Sequence, residues 1–494
     1  MQPEAYLLIG SFILMVGLRV PISFALGISS LLTLAAIGID PVVNAPLIFW
    51  GMDQDSLLAI PFFIFAGAIM SQGGMARKMV DLATLVVGWF PGGLAVVNVL
   101  SSMFFGAISG SAVAATSAVG STLIPSMEEK GNDRDYATSV TVTASTQGLL
   151  IPPSHNAIIY SLAAGGAASI EALFVAGIVP GVLLGLALIV VAVAIAAKRK
   201  YPRESDLPLS TAIIEFLFSF AAVSAILYFF SKWNESGGTG PLLAWTAGPI
   251  CLVAFWGLRI YSRRGKDAVK NVSRIVVDAV LPLFSPFIIV GGVVFGWFTA
   301  IESSVIAVVW AILVNFIIFA FLYKDTSIKE YPKVALQGMK VIVMVMWLIG
   351  NAYAFGYCLT RLHVPREITE GLLAITENKY LLLLLINLML LALGTIMDMA
   401  PLIIITTPIL LPVAQKIGVD PVHFGMIMIA NLGLGLCTPP VGSALFVGCA
   451  VGDTKMERIA KAVWPFYVAM FAVVLLITYV PVISMGLVEA YLGG

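Results

Sequence analysis

Charge is what this chain has least of. Asp, Glu, Lys and Arg make up 11% of its 494 residues, less than half the share of about 25% found in soluble domains. Most of the surface must therefore face lipid or other apolar segments. The few charges cancel, 27 basic against 27 acidic, leaving no basic excess for a nucleic-acid partner. Cysteine is scarcer still. Cys251, Cys358, Cys437 and Cys449 sit in apolar stretches without the spacing of a zinc site or a disulfide framework, and read as packing residues. The three histidines are scattered, and no HExxH, phosphate-binding loop or glycine-rich dinucleotide turn occurs. The missing phosphate loop argues against ATP as the energy source. No apolar run carries the paired His, Asp, Glu or Ser–His set of an intramembrane enzyme.

What abounds is apolar sequence: 60% of residues are hydrophobic and the mean hydropathy is +1.01. A helix needs roughly 20 apolar residues to cross a bilayer. Such runs predict spans at 5–20, 22–38, 56–72, 172–197, 279–298, 300–322, 338–358 and 462–485, with an amphipathic piece at 75–90 and an outer arm at 362–378. Met1-Gln-Pro-Glu4 lacks the basic start of a cleaved signal peptide, so the first run is expected to stay as a span. Basic loops mark the cytoplasmic side. Arg19, Arg77-Lys78 and the 198–203 cluster therefore place the N-terminus outside. Residues 204–270 hold two apolar runs around a polar turn at 232–240, with basic flanks, and read as an inserted two-helix hairpin.

Two further runs are interrupted. The run 93–126 breaks at Ser109-Gly-Ser111, and the run 135–166 breaks between Gly148 and Ser154, across Pro152-Pro153. At about 1.5 Å per residue each half of 93–126 is too short to span, which predicts a re-entrant hairpin. The same pair recurs downstream. Pro125 falls on Pro412 (412 − 125 = 287), and at the same offset Gly131 falls on Gly418, Asp133 on Asp420, Gly148 on Gly435, Pro152-Pro153 on Pro439-Pro440 and Gly165 on Gly452. A second hairpin at 380–412 then breaks at Met397-Asp-Met-Ala-Pro401, and a second span at 421–451 breaks at Gly435–Gly442. An odd span count in unit one (1–203) turns unit two (271–494) upside down. The expected fold is an all-α polytopic membrane protein with two inverted-topology repeats, each holding a re-entrant helical hairpin and a broken transmembrane helix. Matched interruptions of this kind point to the binding site of a secondary transporter.

The candidate residues follow from the breaks. Ser109, Gly110 and Ser111 form the first tip, with Thr116 a turn beyond, and hydroxyls and carbonyls there can replace water around a small hard cation. Proline removes a backbone donor, so the Gly148–Pro152 break and the Gly435, Thr438, Pro440, Gly442 break free carbonyls for a cation. Met397 and Asp398 form the second tip, where a charge at bilayer depth needs a partner. Asp398 aligns with Ser111 (398 − 111 = 287). Thr146, Ser154, His155 and Asn156 offer polar groups to a substrate, and Arg361 could meet an anion arriving from outside. Each has a plainer alternative: close packing of small residues, a proline kink, a helix cap for Asp398, a headgroup anchor for Arg361. Thr138, Thr141 and Ser145 share a face that either lines a polar path or bonds to its own carbonyls. Glu302 is expected near a water interface.

At Ile108-Ser-Gly-Ser-Ala112, Ile151-Pro-Pro-Ser154, Met397-Asp-Met-Ala-Pro401 and Thr438-Pro-Pro-Val-Gly442 the chain resembles the large membrane subunit of TRAP (tripartite ATP-independent periplasmic) transporters. The resemblance covers nearly all of 1–203 and 275–494. It implies elevator-type uptake of an organic acid anion (C4-dicarboxylate, sialic acid or sugar acid) across the bacterial inner membrane, driven by Na⁺ at two sites, one per repeat. It also implies two partners, a periplasmic substrate-binding protein and a small four-helix membrane subunit. Ser109, Ser111 and the 148–154 break would hold one Na⁺, Asp398 and the 435–442 break the other. The insertion 204–270 and His155, where the pattern has an apolar residue, depart from the family. A stand-alone cation-coupled organic-anion symporter is the alternative reading.

Overall fold

A computed structural model describes residues 3–72, 75–87, 92–201, 284, 289–293, 296–315, 331–376, 378–439 and 442–492. The inserted hairpin expected at 204–270 and most of the span expected at 279–298 lie outside them. Among the described residues there is no strand. The helices are α1 (Pro3–Gly17), α2 (Ile22–Ala36), α3 (Asn44–Met52), α4 (Ala59–Gln72), α5 (Met75–Val87), α6 (Gly93–Ser109), α7 (Ala112–Glu129), α8 (Arg134–Gln147), α9 (His155–Ala163) and α10 (Ile170–Arg199). The second half contributes α11 (Ala300–Ile312), α12 (Tyr331–Arg361), α13 (Val364–Ile375), α14 (Lys379–Gly394), α15 (Met399–Lys416), α16 (Pro421–Gly435), α17 (Ser443–Val451), α18 (Met456–Tyr479) and α19 (Val482–Leu492).

Both interrupted runs are broken where Gly, Pro and hydroxyl residues fall. The halves of the hairpins are 17, 18, 16 and 18 residues long, somewhat longer than the runs suggest because each return helix continues to Glu129 or Lys416. By length and composition Met399–Lys416 is itself long and apolar enough to cross a membrane, as are Ile170–Arg199, Pro332–Arg361 and Met456–Tyr479. Two helices differ from expectation. Asn44 opens α3 between the spans expected at 22–38 and 56–72, and the last run divides at Val480-Pro481 into α18 and α19. Proline at 481 cannot continue the hydrogen-bond ladder of α18.

The 287-residue offset recurs in three dimensions. α7 begins at Ala112 and ends at Glu129, and α15 begins at Met399 and ends at Lys416, both displaced by 287. Packing obeys the same exchange. α8 packs on α6, α7, α10 and α17, and its counterpart α16 packs on α14, α15, α18 and α9. The two central helices, buried from Tyr136 to Gln147 and from Val422 to Gly435, also touch each other. They pass head to tail. Gly452, just past α17, meets Thr138 near the start of α8, while Tyr160 at the end of α9 hydrogen-bonds Pro421 O at the start of α16 (2.6 Å).

A second group, α1 to α4 with α11 and α12, packs mainly on itself and meets the first through α4 and α12. Phe63 of α4 stands edge-on to Phe174 of α10, centroids 6.4 Å apart. α12 runs 31 residues unbroken across positions aligned with α3 and α4. The polar Asp53-Gln-Asp-Ser56 separates those two, while its counterpart is Lys340-Val-Ile-Val343.

Candidate functional site

Each hairpin crosses its broken helix backbone to backbone. A Cβ on Gly148 would lie 2.3 Å from Gly106 Cα, and one on Gly435 would lie 2.7 Å from Gly394 Cα. Real Cβ atoms do not tolerate such contacts, so only glycine lets α6 reach the first break and α14 the second. The two breaks are neighbours. Cys437 Sγ donates to Val142 O (3.3 Å), and Gly433 lies against Thr146 of α8 and Met399 of α15.

The first tip turns at Gly110, which has φ +62°, a left-handed conformation that glycine adopts without strain. Ser109 Oγ accepts from Ser111 N (3.4 Å), and Ser111 Oγ caps α7 by accepting from Ala114 N (3.3 Å). Asn156 Nδ2 donates to Gly110 O (3.3 Å), tying tip to break. The half-buried His155 ring lies directly on the tip, where a Cβ on Gly110 would come within 2.2 Å of Nδ1. In the break, the Pro152–Pro153 peptide is cis. Gln147, buried, donates to Val99 O of α6 and keeps its Oε1 unpartnered against Gly185.

The second tip is built differently. Asp398 holds the N-cap position of α15 without a side-chain capping bond, and it is exposed, not enclosed in the apolar run that surrounds it in sequence. Its carboxylate faces the buried hydroxyl of Ser443, the first residue of α17. Met397 is half-buried beside it. Thr438 Oγ1 donates to Leu434 O (2.9 Å), and Pro440 lies outside the described residues. The buried Tyr467 hydroxyl of α18, which the sequence reading did not single out, faces Thr438.

The expectation that proline-freed carbonyls stand open needs correction at one aligned position. Leu149 O accepts from Ser154 Oγ (2.6 Å), and Leu436 O accepts from Ala444 N (3.2 Å) and Leu445 N (3.4 Å). Buried carbonyls seek a donor, and the nearest lies within the break itself. The hydroxyl face of α8 resolves the same way. Thr138, Thr141, Ser145 and Thr146 donate to carbonyls three or four residues back, at 2.7–2.9 Å. Thr141 and Ser145 also accept from Asn98 (2.7 Å) and Thr116 (2.8 Å) of the hairpin. Arg361 is exposed in the last turn of α12, and Glu302 closes a capping box with Thr299.

Helices long and apolar enough for a bilayer, beside two shorter broken pairs that meet at aligned glycine crossings, define a helical, multi-pass membrane transporter. The family model for the DctM component of tripartite ATP-independent periplasmic transporters matches residues 9–483. The chain belongs to that family, as a large permease subunit of the inner membrane, and is not an enzyme. It is 37% identical over 481 residues to the uncharacterised protein YgiK of Salmonella typhimurium (97% of this chain, 95% of that one). It is 34% identical to the isethionate TRAP transporter permease protein DctMQ of Oleidesulfovibrio alaskensis, covering 97% of this chain and 65% of that longer one. The C4-dicarboxylate large permease DctM of Rhodobacter capsulatus is 31% identical, with 98% of each chain covered. In fold the chain is similar to the YdaH transporter of Alcanivorax borkumensis, with TM-score 0.56 and 13% identity, covering 91% of this chain and 88% of that one.

Proposed function

We propose that the chain is the permease of a Na⁺-coupled, elevator-type system that takes up an organic acid anion delivered by a periplasmic binding protein, with a small membrane subunit beside it. The observation that carries this reading is the pair Asp398 and Ser443. The Asp398 carboxylate at the second hairpin tip faces the buried Ser443 hydroxyl, a pair of oxygens of the kind a small hard cation takes. Ser109 and Ser111 supply the weaker counterpart in the first unit. The head-to-tail packing of α8 and α16 supports two inverted repeats, with the hairpins and broken helices as the moving body against α1–α4, α11 and α12. The relatives named for isethionate and for C4-dicarboxylates support an oxyanion as the cargo, the one a sulfonate and the other a dicarboxylate.

The test is uptake into proteoliposomes holding the permease, its small subunit and the binding protein. An inward Na⁺ gradient is expected to drive accumulation that a K⁺ gradient does not, and Asp398→Asn is expected to abolish it while the protein stays monodisperse. Equal uptake in both gradients removes Na⁺ coupling. Full-rate uptake without the binding protein turns the reading to a stand-alone symporter.

A further inference from the structure

The two breaks differ in the sense of their polar groups. At the second, the tip presents acceptor oxygens, the Asp398 carboxylate facing the Ser443 hydroxyl. At the first, donors converge on the tip, and most are already used. Ser154 donates to Leu149 O, Asn156 to Gly110 O and Thr146 to Thr143 O. Arg361 is exposed at the end of α12, on the other packed group. Of the polar side chains that the sequence offers to a substrate, the structure leaves His155 uncommitted beside the first tip.

Nδ1 of His155 lies against Gly110, where even a methyl group would collide with it, so the ring rests on the tip backbone with Nε2 as its other nitrogen. His155 opens α9, whose first-turn amides favour negative charge. The aligned residues are exchanged in size. Position 442 (155 + 287) is Gly and position 397 (110 + 287) is Met, so the second unit has no equivalent donor.

We propose that His155 is a specificity-determining residue, whose Nε2–H hydrogen-bonds the carboxylate or sulfonate of the transported anion at the first hairpin tip. The proposal rests on the organic-anion reading above. A donor already packed on the tip backbone loses less freedom than a mobile one when the anion arrives, and selects for an oxyanion at that point.

The experiment uses the complete tripartite system in proteoliposomes with succinate, N-acetylneuraminate, gluconate and isethionate as probes, each in a Na⁺ gradient. For whichever anion is taken up, His155→Leu is expected to lower uptake at limiting loaded binding protein by about tenfold, the loss expected for one hydrogen bond to a charged group. His155→Gln, which keeps an N–H donor, is expected to restore most of that rate, a rescue that a purely structural ring would not show. Melting temperature in detergent follows each variant, and if the leucine variant does not stay monodisperse, His155→Met against His155→Gln decides in its place. Wild-type uptake with an unaffected leucine variant, or with a glutamine variant as poor as the leucine one, overturns the role of His155 alone. Failure of the wild type to accumulate any of the four probes overturns the organic-anion reading, and this inference with it.

Discussion

Gly110 meets two demands at once, a left-handed backbone and the absence of a side chain beneath His155. The first costs an alanine about 1–2 kcal/mol. The second adds the collision with the imidazole. Gly110→Ala is therefore expected to lower the melting temperature, and His155→Ala in the same chain to recover the steric part only. A double-mutant cycle separates the two terms, and strict additivity would show that ring and tip are not in contact. Residues of one type also diverge by setting. Asp133 and Asp420 are aligned N-caps, yet Asp420 caps its own helix through Val422 N (2.7 Å) while Asp133 takes Arg199 and the Tyr201 hydroxyl (2.6 Å). The aspartate position was readable from sequence; its partner was not, because Tyr201 lies 68 residues away.

Between elements, α17 fits tightly on α8. A Cβ on Gly448 would lie 2.1 Å from Val142 Cγ2, and overpacking of a filled core costs about 1–3 kcal/mol. Gly448→Ala is expected to destabilise by that order, with Val142→Ala as the compensating change, read from melting curves in detergent. No rescue would mean that α17 yields elsewhere. The ion pair Arg458–Asp135 (2.8 Å) joins α18 to α8, but the two side chains are 70% and 20% exposed. A pair so placed is worth about 0–1 kcal/mol, so Arg458→Ala is expected to leave the melting temperature nearly unchanged. A large drop would show that the pair is more enclosed than its exposure implies. Element ends also explain the missed helices. Asn44-Ala-Pro-Leu-Ile-Phe-Trp50 is too short to announce a span, and it forms α3 by packing on α12, a tertiary contact that no local pattern reports.

For the whole molecule, the proposed inversion of the two repeats makes a side-specific prediction. Glu129 and Lys416 are aligned (416 − 129 = 287), exposed, and close α7 and α15 respectively. In a chain without other reactive thiols, Glu129→Cys is expected to react with an impermeant maleimide only in inside-out vesicles, and Lys416→Cys only in right-side-out ones. Labelling of both from one side would refute inversion. Contact between the two packed groups runs through α4 and α12, so an elevator motion would have to slide at those helices.

Sequence alone determined what periodicity and composition control: the helical class, the membrane environment, the two interruptions and the offset that relates them. Helix ends at the interruptions lie within a few residues of those expected, because Gly, Pro and N-cap residues act locally on the backbone, whereas α12 and α18 begin seven and six residues before the expected 338 and 462. It could not decide which polar groups remain available, since that depends on neighbours distant in the chain. Leu149 O and Ser154 lie in a break where carbonyls are expected free, yet they satisfy each other. The α8 hydroxyls take the second of their two alternatives and bond to their own carbonyls, whereas the Gln147 Oε1 left buried without a partner carries no local signal. Tertiary structure alone set glycine against glycine at 106 and 148 and again at 394 and 435, because backbone contact across a break is a matter of how two helices cross, and crossing leaves no local trace.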